Sequence, residues 1–430
     1  MNRWRALLAV EGAASPAFLA VVAALGLSWR LLVNSWTVLP REDGVTYLWM
    51  AERFAAGDAS AALGQVFPPL TSLLIAVLVA LGVEPFAAGQ LVLAVCGAAA
   101  IAPTAWLAQR LVPGGGRVAA LLAAVATRPV MLGAQVYCEP LFALLAALAL
   151  ERGLAGRMWT ASVASGLAFW VRPEAALVPV ALLVSERGAW RAFVGLGAGV
   201  GALSLWRGMC DVGFDPVPKL AFIRAHNVAT SSPFGHVLEL PGCWLEAFGV
   251  LGLLAILGML RVRPRSILVL FGLVLAMLCL YVPRWRFLAG WTFAVVPLAV
   301  AGLRLLPARP WLFALVVGSQ LVVHGGVHAD RVAERELALH LRGLLRPGER
   351  ITGDMTRVLY FAGVQPLEPR HYTAAELCAM GRQARFVVLR ERRATTPGVV
   401  EGLPRHGTAV LPEGLAERVR ERGILVLERR

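Results

Sequence analysis

The sequence has little charge, almost no lysine and few cysteines. Charged residues make up 16% of the 430 positions, whereas soluble globular chains carry about 25%. Lys219 is the only lysine, so the formal net charge of +14 rests on arginine. The C-terminal part also has no glycine-rich phosphate loop, which excludes nucleotide binding of that kind. Most of this chain is therefore not an ordinary soluble enzyme.

Apolar residues are abundant, and they are unevenly distributed. They make up 58% of the chain, and the mean hydropathy is +0.67. Long apolar runs fill residues 16–328 and are separated by short clusters of arginine, proline and glycine, whereas residues 329–430 are ordinary mixed sequence. This predicts an all-α polytopic membrane domain over residues 1–328 and a small soluble α/β domain over residues 329–430. Arginine in short loops favours contact with lipid headgroups over binding of nucleic acid.

The apolar runs predict about eleven transmembrane helices, since a span needs roughly 20 apolar residues. Arg3 and Arg5 precede the first run, and no small-x-small cleavage site follows it. We therefore expect a first span with a cytoplasmic N-terminus and not a cleaved signal. The predicted spans lie near residues 15–34, 86–108, 118–136, 140–151, 159–171, 174–185, 191–207, 244–260, 266–282, 286–303 and 311–328.

Residues 68–83 decide the side of the membrane on which every later loop lies. If they form a helix at the outer interface, most loop arginines are cytoplasmic, as the positive-inside rule requires; if they span, the pattern reverses. We therefore expect an interfacial helix and a multi-pass protein of the cell (inner) membrane. Residues 35–85, residues 208–243 and the domain after residue 329 are then extracytoplasmic. The arginines of the predicted inner loops are Arg110, Arg117, Arg152, Arg157, Arg187, Arg191, Arg261, Arg263, Arg265, Arg304 and Arg309.

The C-terminal domain alternates helix-like and strand-like stretches, which predicts a small α/β layer structure. Helical periodicity covers residues 331–345 and 413–422, and the strand candidates are residues 350–352, 385–389, 407–411 and 424–427. We expect a structural or acceptor-facing role for this domain.

Two acidic residues occupy the margins of predicted spans, where carboxylates are costly unless they are paired or used. Asp43 follows the first span, directly after Glu42, and Glu139 lies at the outer end of a later hairpin. The alternatives are structural. Asp43 could cap a helix N-terminus, and Glu139 could form a salt bridge with Arg128 or Arg172.

Two arginine clusters share the predicted outer side with these acids. One, residues 170–174, contains Arg172, and the other, residues 282–287, contains Arg284 and Arg286. Arginine forms forked hydrogen bonds with phosphate oxygens, most effectively where water is sparse. These side chains are candidates for holding a lipid phosphate, with snorkelling to the headgroups as the alternative. We expect the arginines and the two acids to converge on one extracytoplasmic cavity.

Several short pieces of sequence resemble the GT-C glycosyltransferases, membrane enzymes that use polyprenyl-phosphate-linked sugars. This family includes protein O-mannosyltransferases, the lipid A aminoarabinose transferase and mycobacterial arabinofuranosyltransferases. The order of the pieces and their consistent outer placement make the set more specific than any single piece. They are Asp43 with Tyr47 and Ala51, Phe67-Pro68-Pro69-Leu70, Cys138-Glu139-Pro140-Leu141-Phe142, Arg172-Pro173-Glu174, Gly213-Phe214-Asp215-Pro216-Val217-Pro218, and Arg286-Phe287-Leu288 followed by Pro297.

The resemblance implies transfer of a sugar, with inversion, from a polyprenyl-phosphate donor to a hydroxyl of an extracytoplasmic glycan, lipid or protein. It implies Asp43 as the general base and Glu139 as a second catalytic acid, while Glu42 stays open as the base. General-base activation of the acceptor and cationic stabilisation of the departing phosphate agree with these roles. Lys219 departs from the Asn common at that place, which leaves the sugar, acceptor and prenyl length open. The implied substrate-binding residues are Glu42, Tyr47, Arg172, Glu174, Lys219, Arg284 and Arg286.

Cofactor use is less defined than donor use. Some GT-C enzymes bind a divalent metal ion, but the sequence shows no strong ligand set, so a metal requirement is left open. His324 and His328 lie four positions apart on a predicted helix. Two such residues alone favour ordinary polar positions of a helix over a metal site.

Five of the six cysteines fall into two groups. Cys96, Cys138 and Cys279 lie in or beside predicted spans, where small apolar packing is their ordinary role. Cys210 and Cys243 bracket the long outer loop, in a compartment that permits disulfides. We therefore expect Cys210 and Cys243 to pair.

A transporter or flippase of a lipid-linked or small polar substrate is the main competing function. Transporters usually carry ionisable groups at mid-membrane on broken helices, and many contain internal repeats. Here the acids cluster in predicted outer loops, and no repeat relates the two halves of the sequence. A noncatalytic scaffold is a third alternative, but it leaves the acids and arginines unexplained. The pattern favours glycosyl transfer.

Overall fold

The protein forms two compact units in a computed structural model, which describes residues 14–218, 233–280, 283–306, 310–321, 331–364, 373–390, 395–403 and 405–429. The first unit comprises Met1–Ser35 with Met50–Gly325, and the second comprises Trp36–Trp49 with Gly326–Arg430. The second unit thus joins a segment of the first predicted outer loop to the C-terminal domain. The domain boundary after residue 328 stays a prediction.

The first unit is built from helices that are mostly apolar. Large apolar side chains stay exposed on them, including Leu25, Val163 and Leu260, as lipid-facing surfaces require. The helix Glu42–Ala55 begins within the second unit's segment and ends in the first. The other helices are Pro16–Trp36, Ala59–Leu63, Leu70–Ala80, Pro85–Ala99, Ile101–Leu111, Gly116–Val125, Thr127–Ala134, Glu139–Leu154, Met158–Phe169, Leu177–Leu183, Trp190–Met209, Pro233–Phe248, Val250–Arg261, Arg265–Leu280, Trp285–Ala289, Thr292–Leu303 and Pro310–Leu321, with a 3-10 turn at Pro173–Ala176.

The described helices confirm the membrane character of the chain but not the number of spans. Three helical stretches are long and apolar enough to cross a bilayer, namely Pro16–Trp36, Pro85–Leu111 and Trp190–Met209. The second of them comprises the helices Pro85–Ala99 and Ile101–Leu111. Up to five qualify within the described residues if each of two bent helix pairs is counted as one span. Shorter apolar helices cover the other predicted spans at least in part. The figure of about eleven, the interfacial role of residues 68–83 and the orientation stay predictions.

The predicted span at residues 244–260 contains a sharp corner. The chain bends by 110° between Gly235–Phe248 and Val250–Arg261. Gly249, at the bend, has φ +52° and ψ −130°, a conformation that residues with a Cβ rarely adopt. One glycine can turn the chain without interrupting the apolar sequence. A hydropathy profile therefore does not reveal this bend.

Arg30 is a buried cation inside the first long helix. Its Nη1 donates to the carbonyl oxygens of Gly26 and Ala124 at 2.9 and 3.0 Å, and only 3% of the residue is exposed. Ala124 lies in the last turn of Gly116–Val125, after which the chain bends by 43°. Carbonyls of a last helical turn lack partners within the helix, so a cation there stabilises the break.

The second unit contains a four-stranded sheet with strands β1 Ile351–Gly353, β2 Phe386–Arg390, β3 His406–Thr408 and β4 Ile424–Arg429. The strand order is β1-β2-β4-β3; β1 runs parallel to β2, and β4 is antiparallel to both neighbours. All four predicted strands are present at shifted ends, as are the predicted helices, observed at Val332–Leu344 and Glu413–Glu421. The structure adds the helices Thr356–Phe361, Ala374–Gly381 and Thr395–Glu401.

Helices cover both faces of this sheet. Phe386 and Val388 of β2 belong to a core with Leu337, Leu341 and Val419 from the two predicted helices. The alternate residues of β2 belong to a second core with residues of Ala374–Gly381 and Thr395–Glu401. Successive strand side chains point to opposite faces, so the unbroken apolar run of β2 is that of a strand buried on both sides.

Candidate functional site

Glu139 and Arg172 form a buried ion pair in the first unit. Glu139 begins the helix Glu139–Leu154, and its Oε1 lies 2.8 Å from Arg172 Nη1. Arg172 Nη2 also donates to Glu174 Oε1 at 2.9 Å. Burial alone would lower the pKa of Arg172, but Glu174 and Glu139 raise it well above its ordinary value. The salt bridge considered for Glu139 is therefore present, with Arg172 as the partner.

Aromatic rings enclose this ion pair and connect it to Arg286. The Arg172 Cζ lies 5.4 Å from the ring centroid of Phe142 and 5.2 Å from that of Phe287. The Arg286 Cζ also lies 5.2 Å from the Phe287 ring, and Arg286 Nη1 donates to the Tyr137 hydroxyl at 3.3 Å. Two guanidiniums thus contact one ring, an arrangement in which cation–π attraction offsets part of their desolvation. Three predicted residues, Glu139, Arg172 and Arg286, are brought together.

Other pieces of the family resemblance are neighbours in this unit. The backbone N–H of Leu70 donates to the carbonyl of Trp170 at 3.0 Å, which joins the Pro-Pro-Leu piece to the Arg-Pro-Glu turn. A cavity of about 10 Å³ lies where these two pieces meet a third piece of the resemblance, residues 213–218. Its lining residues include Pro68, Pro69, Pro173, Pro216 and Pro218. Proline fixes φ and removes a donor, so these turns pack rigidly without leaving N–H groups unsatisfied.

The second arginine cluster is divided between buried and exposed positions. Arg284 is exposed and precedes the short helix Trp285–Ala289, which carries the partly buried Arg286. Arg128, the alternative partner for Glu139, instead lies over the ring of Trp285, with its Cζ 4.6 Å from the centroid, and donates to a backbone carbonyl.

Glu42, Asp43 and Tyr47 belong to the second unit, together with the C-terminal domain. Both acids lie in the first turn of the helix Glu42–Ala55, so Asp43 is inside the helix and not its N-cap. Tyr47 is 2% exposed and lies one turn further along. Carboxylates in a first turn are stabilised by the positive end of the helix dipole. The predicted convergence of Asp43 with Glu139 stays a prediction.

An arginine that no sequence pattern singles out binds Glu42. Arg390, the last residue of β2, forms an ion pair with Glu42 over 348 positions of sequence. Burial by itself would raise the pKa of Glu42, but Arg390, with a smaller contribution from Arg357, lowers it below the ordinary value. Arg390 lies at the end of an apolar strand, where a charged residue is usual, so no local pattern marked it.

Lys219, His324 and His328 lie outside the described residues. Among the residues that the structure describes, no group of three or more His, Cys, Asp or Glu side chains is placed to hold a metal ion. The divalent ion therefore stays an open expectation, and no step below depends on one.

The predicted Cys210–Cys243 disulfide is wrong, because both cysteines are free thiols in this structure. Cys210 caps the helix Trp190–Met209, and its carbonyl accepts a hydrogen bond from the Ser60 hydroxyl. Cys243 lies within the helix Pro233–Phe248, hydrogen-bonded to Trp285 backbone. Each cysteine is held against a different partner, and proximity in a predicted loop did not bring them together.

Known structures share this architecture along nearly the whole chain. ArnT from Cupriavidus metallidurans in the apo state superposes with a TM-score of 0.64 and 15% identity, over 96% of this chain and 97% of that one. The fold is that of the GT-C glycosyltransferases. A second ArnT structure, bound to undecaprenyl phosphate, gives a TM-score of 0.63 at 14% identity, over 96% of this chain and 98% of that one.

The same fold appears in a larger archaeal enzyme. The oligosaccharyltransferase AglB from Archaeoglobus fulgidus, in complex with an inhibitory peptide and a dolichol-phosphate, gives a TM-score of 0.57 at 12% identity. The match covers 86% of this chain and 69% of AglB. No protein-family model matches the sequence, and no curated protein matches it. At these identities the GT-C likeness establishes the fold, and the activity needs its own argument.

Proposed function

We propose that this protein is a membrane glycosyltransferase that moves a sugar from a polyprenyl-phosphate donor to an acceptor hydroxyl outside the cytoplasm. The observation that carries the proposal is the cluster of the buried Glu139 and Arg172 with the partly buried Arg286, within a chain that has the GT-C fold over 96% of its length. Two of the similar structures hold undecaprenyl phosphate or a dolichol-phosphate. A lipid-linked phosphate donor fits both the fold and the arginines.

The reaction we propose is a direct displacement at the sugar C1. The acceptor oxygen attacks C1 from the face opposite the phosphate, the bond from C1 to the phosphate oxygen breaks, and its electron pair leaves with the polyprenyl phosphate. The acceptor proton passes to a carboxylate, for which we propose Asp43. Attack from the opposite face inverts the anomeric configuration, so the product anomer reports on the mechanism.

The geometry favours Arg286 over Arg172 as the side chain that contacts the phosphate. Arg172 is balanced by two carboxylates, Glu139 and Glu174, and its side chain is only 7% exposed. Arg286 is less buried than Arg172, and its Nη1 donates a hydrogen bond to the Tyr137 hydroxyl. A donor phosphate can contact only a guanidinium that it can reach, and charge-assisted hydrogen bonds from that group stabilise the departing anion. We propose that Arg284, which is exposed, assists Arg286, and that Arg172 holds Glu139 in place.

The base is tested by comparing Asp43→Asn with Asp58→Asn in the full chain. Asp43→Asn should lower the turnover number by about 10³-fold, because general-base catalysis contributes 10² to 10⁴. Asp58 lies on the same outer segment and caps the helix Ala59–Leu63; since Asn caps equally well, its substitution should leave turnover unchanged. Transfer from a panel of polyprenyl-phosphate sugars in reconstituted vesicles is the measurement. Wild-type turnover in Asp43→Asn, with loss in Glu42→Gln, would assign the base to Glu42 instead.

A further inference from the structure

A network of charged side chains lies at one edge of the sheet in the second unit. Because β1 and β2 are parallel, their carboxyl ends meet at the same edge, the place where open α/β sheets most often carry functional residues. Asp354 follows β1 there, and Arg390 ends β2. Neither residue takes part in the reaction proposed above, yet Arg390 binds a neighbour of the proposed base.

Asp354 fixes the end of β2 and therefore the position of Arg390. The Asp354 Oδ1 accepts a hydrogen bond from the backbone N–H of Arg390 at 3.0 Å, and the Asp354 N–H donates to the Val388 carbonyl at 3.1 Å. The preceding residue, Gly353, has φ +148°, and a Cβ built on it would lie 1.8 Å from the Val388 oxygen. Only glycine allows β1 to approach β2 so closely, so the edge is a tightly built structure.

A second ion pair supports the network from inside. Arg357 Nε and Nη2 bind the two oxygens of Glu334 at 2.7 and 2.9 Å, and both residues are 6% exposed. Such a forked pair is geometrically specific. The charge of Arg357 also acts on Glu42, as does that of Arg390. The carboxylates of Glu42 and Glu334 are thus bound by the guanidiniums of Arg390 and Arg357, and that of Asp354 by the backbone N–H of Arg390.

We propose that Arg390 is a positioning residue: by binding Glu42 it fixes the first turn of the helix Glu42–Ala55 and thereby the carboxylate of Asp43. This inference rests on the proposed function, and it gives the C-terminal domain a role in catalysis. It also separates the two adjacent acids. Glu42 is the anchor that Arg390 binds, and Asp43 keeps the role of the proposed base. Small displacements of a catalytic group are costly, since a misplacement of about 1 Å can reduce a rate by about 10²-fold.

The kinetic test compares Arg390→Met with Arg385→Met in the full-length protein in lipid nanodiscs. Arg385 lies just before the other end of β2 and pairs with Glu349 and Glu428, away from the first-turn acids. Arg390→Met should lower the turnover number between about 10- and 10²-fold with little change in the KM for donor, while Arg385→Met keeps the wild-type turnover. The double variant Glu42→Gln with Arg390→Met should be no slower than the worse single variant, because the two residues act as a pair.

A second measurement does not depend on activity. Hydrogen exchange of the backbone amides in residues 36–49 should be faster in Arg390→Met than in wild type or Arg385→Met, since the anchor of this segment is lost. The charge-swapped double variant Glu42→Arg with Arg390→Glu should restore slow exchange. Unchanged exchange in Arg390→Met, or additive losses of turnover in the double variant, would overturn the inference.

The two proposals fail in distinguishable ways. If the wild type transfers no sugar from any donor of the panel, the proposed function fails, and the exchange measurement still decides whether Arg390 holds the segment. If the wild type is active and Arg390→Met retains its turnover, the positioning role fails and the glycosyltransferase proposal stands. Arg390→Lys, which keeps the charge but loses the guanidinium fork, guards against a folding defect and should retain more turnover than Arg390→Met.

Discussion

The two units each contain an arginine bound to a glutamate, but the surroundings of the two pairs differ. In the first unit Arg172 and Glu139 are 33 positions apart, their side chains are 7% and 5% exposed, and aromatic rings enclose the guanidinium. In the second unit Arg390 and Glu42 are 348 positions apart, and their side chains are 32% and 38% exposed. The first pair is shielded from water, and the second is partly exposed to it.

Solvent access determines what each pair can do. A shielded pair loses much free energy when one partner is removed, because the other charge stays buried without compensation. A half-exposed pair is screened by water and salt, so it contributes less but can respond to pH and ionic strength. The first arrangement suits a fixed framework around the proposed phosphate site, and the second suits an adjustable link between the proposed catalytic segment and the C-terminal domain.

The largest effect in this comparison is expected from Arg172→Met. Removal of the guanidinium leaves the buried Glu139 without its cation beside the partly exposed Glu174, which should cost about 3–5 kcal/mol in the free energy of unfolding. Thermal unfolding of the purified protein in detergent is the measurement. The double variant Glu139→Gln with Arg172→Met should lose less than the single variant, because one of the stranded charges is gone. If the single and double variants lost the same free energy of unfolding, the unpaired charge of Glu139 would not be the cause of the loss.

A smaller effect, which depends on pH, is expected for Glu42. The pKa of Glu42 is lowered from 4.5 in the folded protein, so its contribution to stability is fully present above that value and is lost as the pH falls through the lowered pKa. With a side chain 38% exposed, the contribution is at most about 1 kcal/mol after solvent screening. Exchange protection of residues 36–49 should therefore exceed that of Glu42→Gln near neutral pH, and the difference should vanish in acid. If the difference in protection grew as the pH fell, the ionised form of Glu42 would not be the stabilising one.

The smallest effect is expected at a more exposed pair. Arg418 binds Glu336 in the second unit, with side chains 51% and 44% exposed. Such surface pairs contribute at most about 1 kcal/mol, and often nothing measurable. Arg418→Met should therefore shift thermal unfolding by less than Arg172→Met or Arg390→Met. If the shift of Arg418→Met equalled that of Arg172→Met or Arg390→Met, solvent access would not explain the difference between the two units.

Local patterns predicted much of the fold. Hydropathy located Pro16–Trp36, Pro85–Leu111 and Trp190–Met209, because a bilayer demands long apolar helices with their backbone groups satisfied internally. Apolar runs and periodicity located all four strands and two helices of the C-terminal domain. The corner at Gly249 was missed because a backbone angle leaves no mark on hydropathy. The short helices of the second unit were missed because their burial depends on a sheet assembled from distant segments.

The charged residues also divide into those that local sequence patterns identified and those that only the folded structure revealed. Glu139, Arg172 and Arg286 were recognisable because charge at the edge of an apolar run is costly unless it has a role. Arg390 and Arg30 were not, since each is paired with groups far away in sequence or with backbone carbonyls. The disulfide between Cys210 and Cys243 was wrongly expected because loop membership does not determine which side chains meet.

The sequence by itself determined that this is a membrane protein with a small α/β domain, and which acids and arginines are candidates for chemistry. Composition and periodicity suffice for that, since the hydrophobic effect acts on local surface. Only the tertiary structure decided the pairing: Arg172 with Glu139 and Glu174, and Arg390 with Glu42. Ion pairs fall off with distance in space and not in sequence, so the partner of a charge is known only once the chain is folded.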